Sequence, residues 1–129
     1  MNQKNQKNFS QKHPEVSFDE LNRTQKAKKV IAVLKDYYKS YEKLKDLNLL
    51  DLGCSTGFLT KYYSNYFYKV IGIDVDEKAI KFAKKYNINN NIEYYNMNSN
   101  NIEFEDNSFD VVTCSHVYEH VANQNKLMK

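Results

Sequence analysis

The stretch LLDLGCSTGFLT, residues 49–60, and the stretch VIGIDVDEKAIKFAKKY, residues 70–86, decide how this chain reads. Each passes from a short apolar run into a helical pattern. In the first, LNLLDL (47–52) leads through a turn bearing Gly53 and Gly57 into FLTKYYSNYF (58–67). In the second, Val70, Ile71 and Ile73 lead through Asp74 into Ala79, Ile80, Phe82, Ala83 and Tyr86, which fall at helical spacing with Asp76 placed as the N-cap. Two more apolar runs follow, IEYYN at 92–96 and FDVVTCS at 109–115. Strands separated by helices pair in parallel, because a parallel neighbour needs a crossover connection. Right-handed crossovers wind such units into a doubly wound sheet. The expected fold class is therefore α/β, a Rossmann-like doubly wound parallel sheet of about four strands.

Upstream, Leu21, Ala27, Val30/Ile31, Leu34, Tyr37/Tyr38 and Tyr41 recur at three- and four-residue intervals. They predict one amphipathic helix from near Asp19 to about Tyr41. Domain organisation follows: a disordered polar tail over 1–14, an N-terminal amphipathic helix within 15–46, and the α/β domain over 47–129. The formal charge is +3, and the tail's Lys4, Lys7 and Lys12 account for all of it, leaving a neutral body without the basic stripe of a nucleic-acid binder. Cys54 and Cys114 are the only cysteines, far apart, so a reducing cytoplasm and no disulfide are expected. No apolar run reaches membrane-spanning length.

Ligands of such sheets sit at the carboxyl ends of the strands. There the first strand carries Asp51-Leu52-Gly53-Cys54-Ser55-Thr56-Gly57. A P-loop would need a Lys after its second glycine, where Phe58 stands, and a dinucleotide fingerprint needs G-x-G-x-x-G. What remains is D-x-G-x-x-x-G, a carboxylate followed by a tight turn, suited to a ligand with an adenosine end and an amino-acid end. Asp74 closes the second strand, where a carboxylate can accept both hydroxyls of a ribose.

Together LLDLGCSTGFLT, VIGIDVDEKAIKFAKKY and DNSFDVVTCSHVYEHV (106–121) resemble the class I S-adenosylmethionine (SAM)-dependent methyltransferases, of the type 11 branch that includes quinone-biosynthesis methyltransferases. The resemblance implies a SAM-binding domain over 47–129 that transfers a methyl group to a small-molecule acceptor. It implies Asp51 by the methionine amino group and Gly53, Cys54, Ser55 and Gly57 around the methionine and ribose. It further implies Asp74 on the ribose, Val75 on adenine, and Asn98 and Ser99 near the adenine amine, with Ser115 also toward the cofactor. This sequence departs from the family at Asn98, where Asp is usual, and at Ser55, where many members have Gly. An amide oxygen still accepts from an adenine amine.

The run His116-Val117-Tyr118-Glu119-His120 also matches the H-x-x-E-H of inverted zinc peptidases. No Asp, Glu, His or Cys follows His120 as a third ligand, and the run begins at a strand end. In the family a similar segment lines the methionine end and the substrate mouth. His116, Tyr118 and Glu119 are therefore candidate substrate contacts and His120 the candidate general base, and no metal is expected. Cys54 reads as a spacer in the turn and Cys114 as a small buried hydrophobe.

The family continues past this point into further strands, so a fragment of a longer chain is expected, and the fourth strand would offer an open edge for self-association. Two other readings stand beside the enzyme: a non-catalytic SAM-binding or interaction module, and a domain for an NAD-type nucleotide.

Overall fold

The computed structural model describes residues 20–98, 104 and 108–114. Among these, strands β1 (Asn48–Leu52), β2 (Lys69–Asp74), β3 (Ile92–Asn96) and β4 (Val111–Thr113) form one sheet in the order β3-β2-β1-β4. Every pairing is parallel, with Asp51 level with Gly72 on one side and with Thr113 on the other. The chain builds outward from β1 to β3 and then returns to place β4 on β1's opposite flank. The order therefore reverses between β1 and β4, where ligands bind in such sheets.

Among the described residues, four helices accompany the strands: α1 (Glu20–Tyr38), α2 (Tyr41–Leu44), α3 (Phe58–Ser64) and α4 (Glu77–Tyr86). The sheet's period-2 alternation sorts its side chains onto two faces. Leu49, Val70 and Ile92 pack with Ala27 and Ile31 of α1, Leu59 and Tyr63 of α3, and Ile80 and Ala83 of α4. Leu50, Leu52, Ile71 and Ile73 form a second layer on the opposite face, packed against Met97, Phe104, Phe109 and Cys114. Each fully buried aliphatic side chain contributes about 1.5–3 kcal/mol, so both layers hold the strand ends in fixed register.

Three local predictions need amendment. The predicted single helix to Tyr41 ends at Tyr38, because Lys39 takes a left-handed φ of 74°. Ser40 then caps α2 by accepting the Lys43 N–H at 3.1 Å. On α1 the buried stripe is Arg23, Ala27 and Ile31, spaced four apart, while Leu21 is 71% exposed. The helical projection sets Leu21 about 160° from Arg23, so a face holding residue 23 must turn residue 21 outward. The helix predicted over 58–67 stops at Ser64, whose hydroxyl donates to the Lys61 carbonyl at 2.6 Å. Asn91 takes over the end of that helix, its amide donating to the carbonyls of Ser64 and Phe67 at 2.9 and 3.1 Å. The predicted tail over 1–14 lies outside the described residues. No described helix is long and apolar enough to cross a membrane.

Candidate functional site

The β1–α3 turn is made by backbone conformation. Gly53, Ser55 and Gly57 all have positive φ, of 70°, 53° and 88°. The N–H groups of Gly53 and Cys54 both donate to the Ile73 carbonyl at 2.9 and 3.0 Å, locking the turn to β2. Gly57 is required twice over: its φ suits glycine, and a Cβ there would lie 2.6 Å from the Tyr94 hydroxyl oxygen and 2.9 Å from the Ala83 Cβ. Ser55 holds the same left-handed region with a side chain, at a cost of about 1–2 kcal/mol. That strain is partly offset by the bond its N–H makes to Asp74.

Asp74 ends β2, half-buried beside the turn. Its Oδ2 accepts from the Ser55 N–H at 2.8 Å and its Oδ1 from the Asp76 N–H at 2.9 Å. These bonds fix the carboxylate's orientation and, with about four acceptor sites on its two oxygens, leave it room for a further donor. Burial pushes its pKa up to about 6, opposed by the Asp76 and Ser55 N–H bonds. Asp76 is the N-cap of α4, accepting the Ala79 N–H at 3.2 Å, as the sequence predicted.

Asp51 lies beneath the turn, only 3% exposed. Its Oδ2 accepts from the Thr60 hydroxyl at 2.7 Å and its Oδ1 from the Thr113 hydroxyl at 2.9 Å. Burial raises its pKa to about 6, while the two hydroxyls and the Arg23 guanidinium pull it down and the charge of Asp74 adds to the rise. Cys54 is buried, and its thiol is pushed well above the ordinary range by that burial and by the two aspartates. It is a packing group, set against the face of β2 at Gly72, as its reading as a spacer anticipated.

Beneath the turn's far side, the Asn87 amide donates to the Thr56 carbonyl at 2.7 Å, and the buried Tyr94 hydroxyl donates to the carbonyls of Asn87 and Gly57. Val75 is half-buried after β2, and Asn98 half-buried two residues beyond β3. The structure thus brings Asp51, Gly53, Cys54, Ser55, Gly57, Asp74, Val75 and Asn98 to the carboxyl end of the sheet. Ser99, Ser115, His116, Tyr118, Glu119 and His120 lie outside the described residues. Among the described residues no group of three or more His, Cys, Asp or Glu is gathered as a metal site requires.

Sequence reasoning missed Thr60, Thr113 and Arg23. Thr60 lies in the first turn of α3, and Thr113 is level with Asp51 across the β1–β4 pairing. The one signal available was spacing: Arg23 falls four residues before Ala27 and eight before Ile31, on the stripe that faces the sheet.

The group of side chains fits a ligand with a vicinal diol and an adjoining aromatic base: an oriented carboxylate with acceptor capacity to spare, an apolar side chain next to it, and an amide at the next strand end. Comparison with known proteins agrees. The sequence pattern of the family described as "Methyltransferase domain" matches residues 50–129. The ubiquinone biosynthesis O-methyltransferase of Rickettsia bellii is 35% identical over 89 residues, which are 68% of this chain and 37% of that protein. That of Sinorhizobium fredii is 34% identical over 87 residues, 66% of this chain and 35% of that protein. The chain thus spans little more than a third of the length of these curated relatives. Among solved structures, the plantazolicin methyltransferase BpumL, in complex with a monoazolic desmethylPZN analog and SAH, superposes with a TM-score of 0.71 at 23% identity, covering 98% of this chain and 50% of that one. A SAM dependent methyltransferase from Aquifex aeolicus superposes with a TM-score of 0.62 at 24% identity, covering 81% and 63%. At these identities the superpositions establish the fold.

Proposed function

The chain belongs to the methyltransferase domain family, the SAM-dependent class, and we propose that it binds SAM at the β1–α3 turn and transfers the methyl group to a small-molecule acceptor. The observation that carries this reading is Asp74: a strand-end carboxylate, oriented by the Ser55 and Asp76 N–H groups, with acceptor capacity left over. In this reading Asp74 accepts the two ribose hydroxyls, Val75 packs on the adenine, and Asn98 and Ser99 meet its amine. Asp51 presents its charge to the ammonium end from below the turn formed by Gly53, Cys54, Ser55 and Gly57, with Ser115 alongside.

When bound, SAM supplies a methyl on a sulfonium that leaves as the neutral thioether of S-adenosylhomocysteine (SAH). The protein's task is then alignment and exclusion of water. The turn is suited to this, because its positive φ values and its bonds to β2 fix the course of its backbone. The relatives' names support an acceptor hydroxyl, which must give up its proton as its oxygen bonds to the methyl carbon. His120 is the base that the sequence offers for that proton, with His116, Tyr118 and Glu119 toward the acceptor. The protein acts in the cytoplasm, and β4, at the edge of the described sheet, is the surface for self-association. The family takes the place of the NAD-type and zinc-peptidase alternatives.

Calorimetric titration of SAH into the purified chain tests the reading, with Asp74→Ala as control. Two hydrogen bonds to a charged acceptor are each worth about 1.5–3 kcal/mol, so the variant should lose about a hundredfold in affinity or more. Wild-type affinity should also fall as the pH drops below about 6, where Asp74 takes up its proton. Equal binding by wild type and Asp74→Ala would refute the placement of the ribose. Binding by an intact fold without turnover of any acceptor would instead favour a SAM-binding module.

A further inference from the structure

Asp51 is only 3% exposed, and both of its oxygens are engaged by protein groups. Of its two oxygens, one is taken by Thr60 and the other by Thr113. Thr60 is fully buried and Thr113 is 8% exposed. The three residues come from three elements: Asp51 from β1, Thr60 from α3 and Thr113 from β4, 62 residues away in the chain. Alternation explains why they meet. Asp51 and Thr113 are level in the parallel register and face the helical side, where α3 lies across them.

We propose that Thr60 and Thr113 are positioning residues of the methyl-donor site, acting through Asp51: their hydroxyls hold its carboxylate in one orientation under the turn, so that its charge faces the amino-acid end of the cofactor. The proposal rests on the SAM-binding reading above. Two donors at fixed positions leave the carboxylate no rotational freedom, and each bond to the charged form also opposes its protonation in a buried site. The other charged groups that bear on Asp51 are Arg23 of α1, which favours the anion, and Asp74 of β2, which disfavours it. Without the hydroxyls, burial and Asp74 would face Arg23 alone.

Thr113→Val removes one hydroxyl at nearly constant volume, and Thr113→Ser restores it. Two ligands separate the ends of the site: SAH, and 5′-methylthioadenosine, which keeps the adenosine and the thioether but has no amino acid. Thr113→Val should bind SAH about tenfold more weakly at pH 7, the loss expected for one hydrogen bond to a charged group. It should bind 5′-methylthioadenosine within about twofold of wild type, and Thr113→Ser should recover SAH binding. In the ligand-free protein, the Asp51 carboxyl followed by carbon-13 NMR should titrate about one pH unit higher in Thr113→Val than in wild type.

Equal losses for both ligands would overturn the proposal in favour of general support of the fold, as would an unchanged Asp51 titration. An unfolded Thr113→Val sends the same measurements to Thr60→Val, with Thr60→Ser as its rescue and the same expectations. The NMR titration needs no ligand, so a failure of SAM binding itself is told apart: wild type would then bind neither compound while the Asp51 titration still shifted.

Discussion

Asp51→Asn should make this protein more stable at neutral pH and weaken its cofactor site. The magnitude follows from burial. The carboxyl has an ordinary pKa of 3.8 in the unfolded chain and about 6 in the fold, raised by removal from water. As the pH rises from 3.8 toward 6, the unfolded chain releases this proton before the folded one does. The fold therefore loses stability across that interval, and the loss is complete above about 6. An interval of about two pH units, at about 1.4 kcal/mol each, is a cost of about 3 kcal/mol at pH 7. Asparagine is neutral at every pH and escapes it. The substitution also turns one acceptor into a donor, so either Thr60 or Thr113 must rotate its hydroxyl to accept, a mismatch of about 1 kcal/mol. The net expectation is a gain of about 2 kcal/mol at pH 7 and none, or a loss of about 1 kcal/mol, near pH 4.

Urea unfolding of both proteins across this range measures the difference directly, with the slope of each transition checked for constancy. At slopes of about 1–3 kcal/mol per molar, the midpoint at pH 7 should rise by roughly 1 M. The same variant should bind SAH more weakly, a trade of function against stability that is common at binding sites. A variant less stable than wild type at pH 7, or a difference that does not change between pH 4 and 7, would refute the reasoning. It would mean that Asp51 gains more from its hydroxyls and Arg23 than it loses by leaving water.

Two further outcomes test the turn itself. Gly57→Ala forces a methyl to within 2.6 Å of the Tyr94 hydroxyl oxygen at a φ of 88°, so conformational strain and overpacking should together cost about 3 kcal/mol by thermal or urea unfolding; a change under about 1 kcal/mol would show that the turn can relax. Ser55→Gly should relieve the left-handed strain at Ser55 while keeping the N–H bond to Asp74, raising stability by about 1 kcal/mol or less, and a drop in melting temperature would mean that the Ser55 side chain holds something in the fold.

What the sequence determined by itself was local. The order of strands and helices was legible because apolar runs and helical spacing are written into consecutive residues, and strand-helix alternation leaves only parallel pairing. The turn at Gly53 and Gly57, Asp74 as a strand-end carboxylate and Asp76 as a helix cap were legible for the same reason. The break at Lys39 was not, because nothing but its φ distinguishes that lysine from its helical neighbours. The exposure of Leu21 and the burial of Arg23 depend on which face of α1 meets the sheet, and packing chooses that face. The clamp on Asp51 is the furthest from local: it exists because β4 returns to the flank of β1 and sets Thr113 level with Asp51, while α3 crosses to bring Thr60 over both. Residues 62 apart in the chain carry no mark of that meeting; only the register of the parallel sheet puts their oxygens within 2.9 Å.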